Sequence, residues 1–436
     1  MLDATVGQHL ADHAALVVVL RSIKALLDGG RVSIEDVAIG APTGKAAVRI
    51  TELLQAASIR LHARTWHSLL GIGQSDTGDG WSFKYGATNP WPFKVIIGDE
   101  DSMRDLSLGC AVMAARAKSA HMLLVGDIFQ LPPVGAGAPL RDLIAAGVPY
   151  GQLTEIHRAS GGIVEACAAI RDGKRWEVGD NFHLVESFTP ADQLCEIERI
   201  IDRSRAIGLD PIWDVQVITP TNGFANLSKG QSPLSRHKIN AHLQGLLNSE
   251  PKVSGTVFRR NDKIVCLKNG YISLADPRNV YGIEESLLKD GQIYVANGQL
   301  AKVLEVEDKC LIAQIEKSDI EIRIPRGKAS EGDDDEEEAS NGCSFDLAYA
   351  LSCHKYQGSE CPWVIGVADE YAGAKRIYSF EFWYTLWSRG KQQVWTVGKR
   401  STVDAAIRRR VLPLRKTFLR EQIGLVEAEK MLLEMV

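Results

Sequence analysis

The stretch Val95-Ile96-Ile97-Gly98-Asp99-Glu100-Asp101 joins a short apolar run to three consecutive carboxylates. A second apolar run, Leu123-Leu124-Val125, leads into Gly126-Asp127-Ile128-Phe129-Gln130. An Asp-Glu pair at the carboxyl end of a buried strand suits nucleotide hydrolysis, because one carboxylate can hold Mg²⁺ while the next polarises the attacking water. A glutamine at the end of a neighbouring strand can sense the γ-phosphate. The two stretches therefore predict an α/β protein that uses a nucleotide.

Residues 1–175 alternate strand-like apolar runs with helical periodicity, which is typical of a parallel sheet with crossover helices. Strands are predicted at 37–40, 95–98 and 122–126. Ligands bind at the carboxyl ends of strands in such sheets, so the acidic stretches lie where chemistry is expected.

A second α/β series extends from residue 211 to 400, interrupted by an insert at 252–343 with several short β-type runs that fit a small barrel. Six consecutive carboxylates at 333–338 end this insert and predict a solvated loop. The strands of the second series are predicted at 215–219, 347–351, 364–367 and 394–398, its helix at 235–247, and the insert strands at 263–267, 300–306, 311–315 and 320–324.

The composition excludes several classes of protein. With 436 residues and 45% hydrophobic content the chain is long enough for more than one domain. A net charge of −5 leaves no basic footprint over the whole chain, so any nucleic-acid binding must rest on local surfaces. Eight scattered cysteines without metal-ligand spacing indicate reduced thiols. Because no leader or long apolar run is present, a cytoplasmic protein without a membrane span is expected.

Eight segments resemble, in chain order, the signature segments of superfamily 1 DNA helicases, and in particular those of the RecD-like and Dda-like branch. One such segment would be weak support, whereas eight in the family's order make coincidence implausible. They are GAPTGKAA at 40–47, TWHSLLG at 65–71, VIIGDEDSM at 95–103, LLVGDIFQLPPV at 123–134, LTEIHR at 153–158, VITPTN at 217–222, FDLAYALSCHKYQGSE at 345–360 and YTLWSRGK at 384–391.

The resemblance implies two RecA-like parallel-sheet domains of the P-loop NTPase type, with ATP and Mg²⁺ as cofactors. The first would span 1–175, with a hairpin insert at 72–93, and the second would combine 176–251 with 344–405. An SH3-like β insert would occupy 252–343 and a helical tail 406–436. Single-stranded DNA and duplex junctions are the implied partners of a monomer, with replication or recombination proteins as further candidates.

Carried over position by position, Asp99 would hold Mg²⁺ and Glu100 would be the catalytic base. Gln130 would contact the γ-phosphate, while Arg158 and Arg389 would reach the phosphates. Gly358 also falls in a segment that faces the nucleotide. Without the family context, Arg158 could equally form a surface salt bridge.

Further positions match segments that contact DNA in the family. A lone His67 or His354 is more often structural, so these assignments rest on the resemblance. The predicted DNA-binding residues are Pro42, Thr43, Lys45, Thr65, His67, Thr219, His354, Lys355, Gln357 and Ser359.

Five aromatic residues lie in the predicted hairpin insert: Trp81, Phe83, Tyr85, Trp91 and Phe93. Exposed aromatic rings there could stack on bases and help to split a duplex. Alternatively, they pack a short hairpin against its domain.

The chain departs from the family at the phosphate-binding loop. A helix is predicted at 17–27, but the preceding residues 7–16, GQHLADHAAL, contain no Gly-x-x-x-x-Gly-Lys-Thr, and Ala15 and Leu16 stand near the expected Lys and Thr. Three explanations are open: the loop is left out of this sequence, it is lost in a degenerate helicase, or it is supplied in an unfamiliar way. Retention of the catalytic set favours an ATP-hydrolysing form or ancestor.

Three smaller departures concern catalytic efficiency. Gly98 replaces an apolar residue, Trp387 is bulky for its segment, and Asp101 adds a third carboxylate that could raise a neighbour's pKa. The first hypothesis is an ATP-dependent DNA helicase that moves 5′→3′ on single-stranded DNA. The alternative is a catalytically inactive helicase-fold protein that binds DNA or acts as a scaffold.

Overall fold

The computed structural model describes residues 21, 23–74, 81–152, 161–223, 232–278, 288–289, 291–326, 344–415 and 417. The chain forms two compact units, one from residues 1–160 with 410–436 and the other from residues 161–409. Within the described ranges, no helix combines the length and apolar character required to cross a membrane.

The first unit is built on a four-stranded parallel sheet in the order β2-β1-β5-β6. A separate antiparallel hairpin is formed by β3 and β4. The predicted strands at 37–40 and 95–98 are confirmed, and the one at 122–126 ends earlier, at Leu124. The six strands are β1 (Val37–Ala41), β2 (Ala63–Thr65), β3 (Ile72–Gln74), β4 (Trp81–Phe83), β5 (Val95–Gly98) and β6 (His121–Leu124).

Two helices of the first unit are capped by the threonine that precedes them. The side chains of Thr43 and Thr65 accept hydrogen bonds from the amides of Ala46 and Ser68, each at 3.2 Å. Such caps satisfy backbone amides that lack a partner inside the helix. The helices are α1 (Gly44–Ala56), α2 (Trp66–Leu70), α3 (Leu106–Ala115) and α4 (Pro139–Ala145). A helical segment at 23–28 precedes them and agrees with the predicted helix at 17–27 where residues are described.

Apolar side chains cover both faces of this sheet, as a parallel sheet requires. One cluster includes Ile39, Ile50 and Leu54, and the other includes Trp66 and Trp91. Full burial of each such side chain stabilises the fold by about 1.5–3 kcal/mol. The apolar strands thus support an edge where polar loops begin.

The second unit contains a five-stranded parallel sheet in the order β17-β8-β18-β19-β7. The two sheets thus confirm the predicted pair of parallel α/β folds. Its elements outside the insert are α5 (Gly162–Arg171), β7 (Phe182–Val185), α6 (Pro190–Ala206), β8 (Val215–Thr219) and α7 (Arg236–Leu247).

The insert forms an eight-stranded antiparallel sheet in the order β11-β12-β10-β15-β14-β13-β9-β16. This confirms the predicted β character of the insert. Its strands are β9 (Lys263–Cys266), β10 (Gly270–Leu274), β11 (Leu288–Lys289), β12 (Gln292–Val295), β13 (Leu300–Val306), β14 (Cys310–Ile315), β15 (Glu321–Pro325) and β16 (Phe345–Leu347). The chain then continues through β17 (Ala350–Ser352), β18 (Cys361–Ala368), α8 (Ala372–Ile377), α9 (Phe380–Trp387), β19 (Gly390–Gly398) and α10 (Arg400–Ile407).

The prediction of one strand at 347–351 was wrong, because the chain changes sheets there. Phe345 pairs antiparallel with Cys266 of β9, whereas Ala350 pairs parallel with Val217 of β8. Both strands are fully buried, and the apolar residues 347–351 run from the end of one strand into the next without a turn residue. Only the pairing partners distinguish the two.

Two buried charged residues join the insert to the parallel sheet. The Asp262 carboxylate accepts hydrogen bonds from Gln244 Nε2 and Asn248 Nδ2, both at 2.6 Å, and from Tyr349 Oη at 2.8 Å. Lys263 Nζ donates to the carbonyl of Ile212 at 2.8 Å. Burial lowers the pKa of Lys263 and raises that of Asp262. This joint gives a structural role to the basic segment at the start of the insert.

Candidate functional site

Four polar segments of the first unit emerge at one edge of its sheet. Gly40 pairs with Gly98, Ala41 with Thr65, and Gly98 with Leu124, so the carboxyl ends of β1, β2, β5 and β6 lie side by side. The structure thereby brings most of the predicted site residues of this unit to a common edge. These are Pro42, Thr43, Lys45, Thr65, His67, Asp99, Glu100 and Gln130.

Gly40 and Gly98 make room for a buried tryptophan beneath this edge. A Cβ atom added to Gly40 would lie 2.4 Å from the Trp66 ring, and one added to Gly98 would lie 2.6 Å from it. Gly98 is therefore a packing requirement of this chain, since the usual apolar residue would collide with the indole. The sequence signal was present as two glycines at paired strand ends, but only the fold shows their common neighbour.

The acidic segment turns sharply after β5. Asp99 N donates to the carbonyl of Gly40 at 3.0 Å, and Glu100 adopts φ 51° and ψ 34°. This left-handed conformation is unfavourable for a residue with a Cβ atom and is found where the surroundings enforce it. The turn sets the Glu100 carboxylate next to the proposed metal ligand.

Asp99 is half-buried as a residue, but its carboxyl group is largely desolvated. Desolvation and then repulsion from Glu100 raise the pKa of Asp99 to about 7, with a smaller repulsion from Asp101. The Arg49 charge on α1 acts in the opposite direction. Arg49 is a neighbour that the sequence analysis did not single out.

Asp101 is neutralised by a buried partner. Arg104 Nε and Nη2 donate to its two carboxylate oxygens at 2.6 and 2.7 Å, and both side chains are almost fully buried. The Arg104 guanidinium also lies 5.8 Å from the centre of the Trp66 ring. The expected effect of a third carboxylate on the pKa of Asp99 is present but smaller than those of desolvation, Glu100 and Arg49, which agrees with the pairing of Asp101 to Arg104.

The second acidic strand packs directly against the first. Asp101 N donates to the carbonyl of Val125 at 2.8 Å, and a Cβ atom on Gly126 would lie 2.8 Å from the amide nitrogen of Ser102. Gln130 follows in a compact turn, where its amide donates to the Asp127 carbonyl at 3.2 Å, and its side chain is buried. Gly126 thus permits the close approach of the two acidic segments, and Gln130 follows four residues later.

The aromatic residues of the predicted hairpin insert differ in their exposure. Trp91 is buried, with Tyr85 and Phe93 packed against the same core cluster. Phe83 is 40% exposed, and its ring lies 6.2 Å from the exposed imidazole of His67. Packing therefore accounts for three of these residues, and among the described side chains Phe83 is the one available for stacking; the side chain of Trp81 lies outside the described set.

In the second unit, residues 353–358 form a turn between β17 and β18. His354 is exposed and Lys355 half-buried, whereas Gln357, Gly358 and Ser359 are buried. Gly358 has φ 71°, a conformation that favours glycine. Among these predicted residues, His354 is the one most open to a DNA strand.

Arg389 lies just before β19 and is fully buried. Its Nε donates to the Thr385 carbonyl at 3.2 Å, and its own carbonyl accepts from the amide of Cys361. Trp387 points into a separate aromatic cluster and donates through Nε1 to Thr396 Oγ1 at 3.1 Å. The bulk of Trp387 is therefore accommodated by the core.

Of the remaining predicted positions, Thr219 is described by the structure and Arg158 is not. Thr219 is fully buried and its hydroxyl donates to the Leu234 carbonyl at 2.6 Å, so it supports the loop after β8 and does not offer a free hydroxyl to DNA. Arg158 lies outside the described residues, as do residues 7–16. Arg389 and Asp99 belong to different units.

The donor set at the acidic edge fits Mg²⁺. Two adjacent carboxylates are hard oxygen ligands, and a cation there would relieve their desolvation and mutual repulsion. No cluster of three or more His, Cys, Asp or Glu residues that could hold a metal occurs in the part of the chain that the structure describes. This agrees with the usual magnesium site, which takes one or two carboxylates and completes its shell with phosphates and water. The residues present therefore fit the metal, whereas a glycine-rich phosphate cradle is not found within the described ranges.

Two family models match the chain. One, described as an AAA domain, covers residues 17–186, and the other, described as a UvrD-like helicase C-terminal domain, covers residues 347–397. The ATP-dependent RecD2 DNA helicase of Deinococcus radiodurans is 29% identical over 97% of this chain and 52% of its own length. The RecD subunit of the RecBCD enzyme of Mycobacterium tuberculosis is 26% identical over 86% of this chain and 63% of its own length.

These matches support a RecD-like superfamily 1 helicase. This RecD-like chain spans about half the length of the RecD2 relative. A crystal structure of Bacteroides Pif1 bound to single-stranded DNA is similar with a TM-score of 0.47 and 18% identity, over 86% of this chain and 85% of that chain.

Proposed function

We propose that this RecD-like chain is an ATP-dependent DNA helicase that couples ATP hydrolysis to 5′→3′ movement on single-stranded DNA and to duplex unwinding. The supporting observation is the convergence of Asp99, Glu100 and Gln130 at the edge where the segments after β1 and β2 also emerge. Carboxyl edges of parallel sheets are where nucleotides bind in α/β proteins. Proteins of DNA replication or recombination are the proposed partners, since one relative is a subunit of the RecBCD enzyme.

At this edge, each residue has a distinct task. ATP with Mg²⁺, when bound, supplies the phosphoryl transfer that drives movement. Asp99 would hold the metal, and Glu100, fixed beside it in a left-handed turn, would accept a proton from the attacking water. The buried Gln130 would report on the γ-phosphate, and Arg389 would stabilise negative charge from the second unit.

The DNA strand would contact exposed residues of each unit. His67 and Phe83 form an exposed ring pair in the first unit, and His354 is exposed in the second. An aromatic ring can stack on any base, which suits binding without sequence preference. Phe83 is the residue proposed to stack at a duplex junction.

The direct test is an ATPase assay of the purified chain with and without single-stranded DNA. Glu100→Gln keeps the size of the side chain and removes the base, so hydrolysis is expected to fall about 10²–10⁴-fold while DNA binding persists. Duplexes with 5′ or 3′ tails then report polarity, and unwinding is expected only from the 5′ tail. A chain that binds DNA but shows no DNA-stimulated hydrolysis contradicts the proposal.

A catalytically silent DNA-binding or scaffold protein is the second candidate. It is favoured by residues 7–16, which lack the glycines and lysine of a phosphate loop. Such a protein would bind single strands in a salt-sensitive way that ATP leaves unchanged. Strand binding that tightens or weakens on addition of ATP and Mg²⁺ would contradict this alternative.

A chimera separates loss of the loop from loss of the site. Among the described residues, no strand pairs with the outer edge of β6, where Leu123 is 46% exposed. A phosphate-loop strand from the RecD2 relative, grafted ahead of residue 21, would have this edge available for pairing. Restored hydrolysis that Glu100→Gln abolishes would show that the acidic edge is competent, and a silent chimera would favour the scaffold function.

A further inference from the structure

A cavity of about 340 Å³ opens at the carboxyl ends of β18 and β19 in the second unit. Glu370 and Lys375 contribute from the segment after β18, and Lys399, Thr402 and Arg409 from the segment after β19. These segments were not singled out by the sequence analysis. They lie on the same edge of the sheet as the loop that follows β8.

The lining of this cavity carries an excess of positive charge. Three cations, Lys375, Lys399 and Arg409, face a single carboxylate, Glu370. Glu370 Oε2 lies 3.0 Å from Lys375 Nζ and 3.4 Å from Lys399 Nζ, and the hydroxyl of Thr402 donates to Oε1. One internal carboxylate thus engages two ammonium groups and a hydroxyl, which is the donor set that an oxyanion would use.

The remaining cation is held in place by backbone carbonyls. Arg409 Nη1 donates to the carbonyl of Arg376 at 2.6 Å and to that of Tyr378 at 3.3 Å, at the end of α8. Tyr378 itself is buried and donates to the Val367 carbonyl at 2.7 Å. The cationic side of the cavity is therefore anchored to the end of β18.

The helix that lines the cavity adds to the same preference. Lys399 is the N-cap of α10 and forms no side-chain cap, so first-turn amides of an eight-residue helix begin at the cavity. Helix amino ends favour negative charge. The helix amino end therefore adds to the positive charge that the three cations place at the cavity.

A second cavity in the same unit, of about 520 Å³, has the opposite character. Its lining contains four carboxylates, Asp214, Glu316, Asp319 and Glu360, against two lysines. A polyanion would be repelled there. Positive lining is thus a specific property of the cavity at the ends of β18 and β19.

We propose that this cationic cavity binds a backbone phosphate of the nucleic-acid strand, and that Glu370 occupies the phosphate position when the strand is absent. The inference rests on the proposed function. Neighbouring strands are about 4.8 Å apart, so the ends of β18 and β19 lie roughly 10–14 Å from the end of β17, after which the exposed His354 is proposed to meet DNA. One strand can therefore contact both places, and its phosphate competes with Glu370 for the two lysines.

Fluorescence anisotropy of a labelled oligo-dT with the full chain tests this proposal. Lys375→Ala/Lys399→Ala is expected to weaken binding about five- to thirtyfold at low salt and to reduce the log–log salt slope by about 0.7, the contribution of one single-strand phosphate contact. Glu370→Gln is expected to tighten binding about threefold because the internal competitor is neutralised. The matched control, Arg199→Ala/Arg205→Ala, removes the same charge from exposed positions on α6 and should leave the slope unchanged.

Each outcome decides between explanations. If the lysine variant and the control have equal salt slopes, the inference is overturned and the proposed function stands. If the parent chain does not bind the strand at all, the proposed function is overturned. An uncharged methylphosphonate strand should bind parent and lysine variant equally. If inorganic phosphate raises the Tm of the parent but not of the lysine variant, while both bind oligo-dT equally, the cavity serves a free anion and the strand assignment is wrong.

Discussion

Trp66 illustrates how a single side chain shapes the candidate nucleotide site. Its ring lies beneath the ends of β1 and β5 and beside the Arg104–Asp101 ion pair. The two paired glycines leave no space for even one additional methyl group. The acidic turn therefore rests on an indole surface.

Gly40→Ala is expected to destabilise the first unit by about 2–3 kcal/mol, because its Cβ atom would overlap the Trp66 ring. Gly86→Ala is the matched control, since a Cβ atom there meets nothing within 4 Å. Urea denaturation followed by circular dichroism measures the difference. In a Trp66→Leu background the cost of Gly40→Ala should fall by more than half; an unchanged cost would mean that the ring is not the obstacle.

At the scale of an element, the joint between α7 and the insert depends on one buried carboxylate. Asp262→Ala leaves the donors of Gln244, Asn248 and Tyr349 without their acceptor, and a loss of about 3–5 kcal/mol in unfolding free energy is expected. Tyr349→Phe removes one donor and should cost about 1 kcal/mol. Asp276→Ala, at an exposed site, should give no measurable change. Equal effects of Asp262→Ala and Asp276→Ala in chemical denaturation would refute the proposed joint.

Two buried thiols, one in the turn at 353–358 and one at the start of β18, make the stability of the second unit depend on pH. Burial raises the pKa of Cys353 to about 12 and that of Cys361 to about 11, from an ordinary value of 9.0. Both folded pKa values are raised, so the thiols contribute stability that is complete below pH 9.0 and is lost as pH rises through about 11 to 12. The unfolding free energy should fall across this window by up to about 1.4 kcal/mol per pH unit for each thiol.

Urea midpoints between pH 8 and pH 11 check this expectation. Cys361→Ala should reduce the slope of unfolding free energy against alkaline pH by up to about 1.4 kcal/mol per pH unit, the contribution of one proton. Cys195→Ala, at an exposed position, should leave this slope unchanged. Identical slopes in parent and Cys361→Ala would show that this thiol ionises equally in the folded and unfolded chain.

At the scale of the second unit as a whole, the insert and the parallel sheet share one core. The same apolar cluster includes Val217 and Ile365 of the parallel sheet and Val303 and Ile322 of the insert. Because β16 leads directly into β17, the two sheets are also continuous in the chain. We therefore expect the insert and the sheet to unfold together.

Ile322→Ala opens a cavity in the insert and should cost about 2–5 kcal/mol. Hydrogen exchange is expected to accelerate in β8 and β18 as well as in β14 and β15, since one cooperative unit loses stability throughout. Ile207→Ala, at a position 63% exposed, is the control and should leave these rates unchanged. Acceleration confined to the insert strands would show that the insert folds separately.

Much of the fold could be predicted from the sequence, because strand runs and turn residues are local patterns. The strands at 95–98 and 215–219 were predicted with their observed bounds, and the parallel order within each of their two sheets follows from the helices between neighbouring strands. The common edge for Asp99, Glu100 and Gln130 follows in turn, since parallel strands end together. The resemblance to RecD-like helicases was likewise recognised from the order of the segments along the chain.

The tertiary structure alone decided which distant residues meet. The indole under Gly40 and Gly98 and the change of sheet between β16 and β17 both depend on pairing between remote strands. The cationic cavity likewise gathers residues from 370 to 409 that share no local pattern. Sequence periodicity reports which face of an element is buried, but contacts across the core depend on strand order and register, which are set only when the chain has folded.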